Sequence, residues 1–140
     1  MNYQFRLLFE QHNKTPDLPD SVKEAGVADG FVYVCPQGAL MFGSNRKLPK
    51  PSRPVVAIKR HGERLVVLPC TTRDQHGSAE FFDLDEKQRV TWVNQVKDKP
   101  HSLAYYRYEL IDPASLQKKA IGMIAQPHRI ELLNWLKSRY

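Results

Sequence analysis

The residues best equipped for chemistry stand at the two ends of one stretch, SRPVVAIKRHGERLVVLPCTT, from Ser52 to Thr72. Arg53 precedes Pro54 at its start, and Thr71 and Thr72 close it. A guanidinium offers a rigid fork of donors and a permanent charge, while a threonine hydroxyl adds a short neutral donor. Brought together, such groups bind a phosphate and stabilise negative charge on its oxygens. His76, in the RDQHGSA segment that follows, is the histidine nearest in sequence to Thr71. Its ordinary pKa near neutrality suits a general base, against the plain alternative of a solvated loop side chain.

Arg53 and Thr71 lie far apart along the chain, so the intervening elements must bring them together. Val55–Ile58 and Leu65–Leu68 are short apolar runs rich in β-branched residues, which predicts buried strands. His61, Gly62 and Glu63 between them predict a tight hairpin turn. Antiparallel pairing across that turn joins the outer ends, setting Arg53 beside Cys70, Thr71 and Thr72. His61 falls at the opposite end. Further strands are expected at Gly30–Cys35, Glu80–Leu84 and Gln88–Lys97, the last two joined by the acidic turn Asp85-Glu86-Lys87. Pro127 at a helix start, with Ile130, Leu133 and Leu136 at helical spacing, predicts an amphipathic helix against the sheet, with Trp135 buried there. Near the start, Asn2–Glu10 alternates like a strand, and Leu18–Gly26 predicts a short helix capped by Asp20 and closed by Gly26. The expected fold is mainly β (α+β): a small, strongly curved antiparallel barrel with a C-terminal helix.

The 140 residues fit one domain large enough for a real core, and 41% hydrophobic with 26% charged residues is ordinary for a soluble globular protein. No apolar run reaches membrane-span length and MNYQFRLLFEQH lacks a signal-peptide core, so the expected location is cytoplasmic. Cys35 and Cys70 sit in or at the end of apolar runs with no CxxC or His/Cys cluster nearby. They are expected as buried free thiols, with no metal or cofactor. A net charge of +6 and a pI of about 9.4 attract polyanions, with RNA, DNA and an acidic protein all fitting.

Two connections carry basic and aromatic residues. Pro36–Ser52 is rich in glycine, proline and cations, which predicts an exposed connection. Its Leu40, Met41 and Phe42 either present apolar surface to bases or a partner, or pack on the domain. Lys99–Tyr108 groups Tyr105, Tyr106 and Tyr108 with basic residues, a composition suited to base stacking but equally to half-buried strand positions.

RPVVAI followed by VVLPCTT resembles, in order and spacing, the RPxVVL and VPCTT segments of the MazF/PemK family of bacterial toxin endoribonucleases. WVNQVK at Trp92–Lys97 is similar to that family's (A/C)DQ(V)K strand, and KKAIGMIAQPHRIELLNWL to its IG(x)L turn and terminal helix. The resemblance runs from about Gly30 to Lys137, dividing the chain into an N-terminal extension of unknown role, 1–29, and a barrel domain, 30–140. It departs from the family where Phe31 and Asn94 each replace an acidic residue.

The resemblance implies an SH3-like barrel of the MazF/PemK/CcdB type, homodimeric, acting as the toxin of a type II toxin–antitoxin system. The implied activity is sequence-selective, metal-independent cleavage of single-stranded RNA, and the implied antitoxin is acidic and partly disordered. Arg53, Thr71, Thr72 and His76 are the candidate catalytic residues. Arg46, Lys47 and Lys50, in a loop that closes over the RNA groove, and Arg73, Gln75, Asn94, Gln95 and Lys97 are the candidate RNA contacts. The alternatives are a non-catalytic RNA- or protein-binding module and a CcdB-like gyrase poison. Arg53 together with Thr71 favours cleavage.

Overall fold

The structure is a computed structural model and describes residues 17–44, 51–71, 78–93, 102–116 and 119–140. Within them a short helix α1 (Asp20–Lys23) precedes β1 (Phe31–Pro36), β2 (Ser52–His61), β3 (Arg64–Thr71), β4 (Phe81–Asp83), β5 (Val90–Trp92), β6 (Leu103–Tyr105), β7 (Glu109–Ile111) and β8 (Gly122–Ile124). Helix α2 (Gln126–Ser138) follows. The strands form one curled sheet in the order β4-β6-β3-β2-β1-β8-β5, with β7 also paired to β3, and every pairing is antiparallel. This mainly β half-barrel with a C-terminal helix is compatible with a small SH3-like barrel.

The β2–β3 hairpin is the centre of the sheet. Gly62 supplies the left-handed turn conformation, φ +64°, beyond the His61–Arg64 pair. A register shift between Ala57 and Lys59 makes Ile58 a bulge, which sharpens the local bend. Freed at this bulge, the Ile58 carbonyl accepts the Asp29 amide at 2.8 Å.

Because the sheet is covered on both faces, its central strands are apolar almost throughout rather than alternating. Val56, Ile58, Val66, Leu68 and Cys70 face one core, with Leu132, Leu133 and Leu136 of α2 packed over them. Val55, Ala57, Leu65 and Val67 face a second, smaller core with Cys35, Leu40 and Ile111. Leu18, Val22, Ala25 and Ala28 belong to the first core, so the chain ahead of β1 helps to bury the sheet.

Several sequence expectations are corrected in detail. The α2 stripe is Leu132, Leu133 and Leu136, while Ile130 is 40% exposed, because the sheet meets the face one step around the helix. Helix α1 is a single turn with Pro19, not Asp20, at its N-cap and with Glu24, not Gly26, at its C-cap. The expected turn at Asp85-Glu86-Lys87 does join β4 and β5, and among the described residues β4 pairs with β6 and β5 with β8. Asp85 in that turn explains the divergence, accepting Trp92 Nε1 at 3.0 Å from β5 and the Ser102 amide at 2.5 Å beside β6. The expected Asn2–Glu10 strand lies outside the described residues. Among the described residues no helix is long and apolar enough to cross a membrane.

Candidate functional site

The β2–β3 register carries Arg53 to Thr71. Val55 is paired with Pro69, and two residues further out on each strand stand Arg53 and Thr71. The row extends across the sheet, with Cys35 of β1 level with Arg53, and Leu103 of β6 level with Thr71 on one side and Asp83 of β4 on the other. Alternation along the strands places this row on the face turned away from α2.

Arg53 is 5% exposed and Thr71 6%. The guanidinium is held by several groups. Nη1 donates to the Cys70 carbonyl at 2.8 Å, and Nε donates to Gln37 Oε1 at 3.1 Å. The Phe42 ring lies against it, 4.7 Å from Cζ to the ring centroid, a cation–π distance. Gly43, at φ +81°, brings loop backbone so near Nη2 that a β-carbon there would overlap it.

Gln37, Phe42 and Gly43 come from the connection after β1, through a one-turn 3-10 helix at Gln37–Ala39 and the turn up to Ser44. The first part of the expected exposed connection is therefore packed. Leu40 is 2% exposed in the second core, and Gln37 is buried although polar because both ends of its amide are used. Its Nε2 donates to the Phe42 carbonyl at 2.5 Å while its oxygen accepts from Arg53. Glu109 of β7 secures the turn from the other side, its carboxylate accepting the Met41 amide at 2.7 Å and the Phe42 amide at 3.0 Å. Of the two uses expected for Leu40, Met41 and Phe42, packing holds for Leu40, whereas Met41 and Phe42 are half-buried.

The electrostatics separate the guanidinium from the thiols. Burial pushes the Cys70 thiol up to about 12, an effect the nearby Arg53 charge only partly offsets. Burial, and secondarily the Glu109 carboxylate, push Cys35 up to about 11. Both are free thiols, as expected, and neither supplies a thiolate near neutral pH.

Of the candidate catalytic residues, Arg53 and Thr71 come together at the strand rim, whereas Thr72 and His76 lie outside the described residues. So do the candidate RNA contacts Arg46, Lys47, Lys50, Arg73, Gln75, Asn94, Gln95 and Lys97. Sequence reasoning did not find Gln37, Gly43 or Glu109. A glutamine, a glycine and a strand glutamate carry no spacing that points to Arg53, and only the folded turn joins them. The chain matches no protein-family model and no curated protein.

Proposed function

We propose that this protein is a metal-independent endoribonuclease that cleaves single-stranded RNA, the toxin of a type II toxin–antitoxin system. The observation that carries the reading is a buried, preorganised guanidinium at the rim of the β2–β3 hairpin, level with Thr71, in a chain of net charge +6. The ribose 2′-OH attacks the adjacent phosphorus, the bond to the 5′-oxygen breaks, and a cyclic phosphate and a free 5′-OH result. Negative charge concentrates on the phosphoryl oxygens in the transition state. A cation already fixed in place stabilises that charge without reorganising at the moment of reaction. Arg53 takes this role and Thr71 donates to the same phosphate, with Thr72 orienting it and His76 as general base. Because Arg53 lies beneath the Gln37–Ser44 turn, that turn moves aside to admit RNA.

The same burial favours a second reading, a non-catalytic binding module in which Arg53 is a structural cross-brace between Gln37 and Cys70. Incubation with single-stranded RNA in EDTA separates the two. Fragments ending in cyclic phosphate support the nuclease, and intact RNA at high protein concentration removes it. The proposed active form is a homodimer, so sedimentation of an active monomer counts against that part. The proposed antitoxin is an acidic, partly disordered chain whose carboxylates compete with phosphate for Arg53. Co-expression with the adjacent reading frame tests this through a complex that suppresses cleavage and weakens as salt is raised.

A further inference from the structure

We propose that the Gln37–Ser44 turn is an autoinhibitory cover over Arg53, latched by Glu109, and that its opening sets how much of the protein can bind an RNA phosphate. The proposal rests on the nuclease reading for what the open site admits, but not for the latch itself. A bidentate phosphate takes either Nε with Nη2 of a guanidinium or Nη1 with Nη2. In Arg53 both edges are taken. Nε donates to Gln37 Oε1 at 3.1 Å and Nη1 to the Cys70 carbonyl at 2.8 Å. Gly43 stands so close to Nη2, the nitrogen common to both edges, that a β-carbon on it would overlap that atom. The Phe42 ring covers the face, 4.7 Å from Cζ. Closed turn and bound phosphate therefore exclude one another.

Two further groups set the balance between closed and open. Glu109, level with Val67 on β7, accepts the Met41 amide at 2.7 Å and the Phe42 amide at 3.0 Å, so its carboxylate holds the backbone of the turn shut. Hydrogen bonds to a charged acceptor are the stronger kind. Ser44 works the other way. Its Oγ is buried in the closed turn and has no hydrogen-bond partner among the described residues. A hydroxyl so placed has lost its water without replacement, and opening the turn returns it to solvent. The turn is thus fastened at Met41 and Phe42 and carries a cost at Ser44. Because only the open form exposes the guanidinium edges, apparent affinity for phosphate scales with the open fraction.

The test applies phenylglyoxal, which modifies guanidinium groups it can reach, to the full chain and follows the adduct at Arg53 by peptide mass spectrometry. Binding of a short fluorescein-labelled single-stranded RNA, 2′-O-methylated throughout, is measured on the same preparations. Glu109→Gln is expected to speed Arg53 modification and tighten RNA binding by about tenfold or more. Ser44→Ala, which removes the unpaired hydroxyl, is expected to slow the one and weaken the other by about fivefold or more. Both variants are compared where the Val67 and Leu68 amides exchange at the unsubstituted rate, so that turn opening and not unfolding is read. Unchanged Arg53 modification in either variant, a shift of both in the same direction, or RNA binding that stays constant while Arg53 reactivity shifts would each overturn the proposal. Opposite shifts in a protein that neither binds nor cuts RNA remove the nuclease reading and keep the latch. Cleavage by a chain whose Arg53 reactivity is indifferent to both substitutions does the reverse.

Discussion

Gly43 and Arg53 are in such close contact that the guanidinium Nη2 occupies the space a side chain on residue 43 would need. Gly43 also has φ +81°, in the region that L side chains rarely adopt. Two independent constraints thus require glycine here, one the space taken by the arginine and the other the backbone conformation of residue 43 itself. Gly43→Ala is expected to displace the guanidinium, lower RNA cleavage and reduce stability by about 1–3 kcal/mol, the usual range for a residue held in a sparsely populated conformation. Urea midpoints and cleavage rates on the same preparation check this, and an unchanged rate would separate the Gly43 contact from activity.

Arg53→Ala should abolish most cleavage, by about a hundredfold or more, if the guanidinium stabilises the phosphoryl charge. It should also lower stability by about 1–3 kcal/mol, since the buried Cys70 carbonyl and Gln37 amide lose their donor. Arg53→Lys distinguishes the effects of charge and geometry. A lysine keeps the charge but lacks the planar fork that reaches both acceptors, so activity should fall more than it does for a mere loss of stability. Comparing rates at temperatures where each variant is fully folded measures the difference.

Glu109→Gln should loosen the turn over Arg53. One carboxylate now accepts two successive amides, and a carboxamide keeps only one acceptor while aiming a donor at the other amide. Loss of a charge-assisted hydrogen bond of about 1.5–3 kcal/mol should speed amide exchange at Met41 and Phe42 by roughly tenfold or more, while core amides such as those of Val67 and Leu68 keep the global rate. Equal exchange at Met41 and Phe42 in both proteins would show that Glu109 does not hold the turn.

Alkaline conditions should destabilise the fold. Cys35 and Cys70 titrate at about 11 and about 12 in the folded chain. Their values are raised above those of an unfolded thiol, so their contribution is complete at lower pH. It declines as pH rises from about 9, where the unfolded chain releases protons that the folded chain retains, by about 1.4 kcal/mol per pH unit for each thiol. Urea midpoints at about pH 8 and about pH 10 should therefore differ, and Cys70→Ala should show a shallower decline. An identical decline in that variant would place the alkaline sensitivity elsewhere.

Legibility followed the range of the interactions. The β2–β3 hairpin could be read because two β-branched runs and a glycine-bearing turn are local signals. Once the hairpin forms, antiparallel geometry makes the proximity of Arg53 and Cys70 a necessity. Helix α2 was legible as an element but not in its buried face, since Ile130 and Leu132 are equally apolar and the sheet alone selects between them. The Asp85 turn was legible as the connection between β4 and β5, but not which neighbours the two strands take, since the partners of the Asp85 carboxylate, Trp92 and Ser102, are distant in sequence from one another.

The sequence by itself determined the mainly β class, the central hairpin, the buried thiols, the positive charge and the meeting of an arginine with a threonine at one rim. These depend on composition, on periodicity and on pairing across a single short turn. Only the tertiary structure decided that Arg53 is enclosed rather than open, with Gln37, Phe42 and Gly43 around it and Glu109 securing the turn that carries them. It also decided that the aromatic residues after β3 form one surface with Phe42. Those contacts join residues from different strands and turns, and no local propensity encodes which distant carboxylate or amide a buried guanidinium and its covering turn will use.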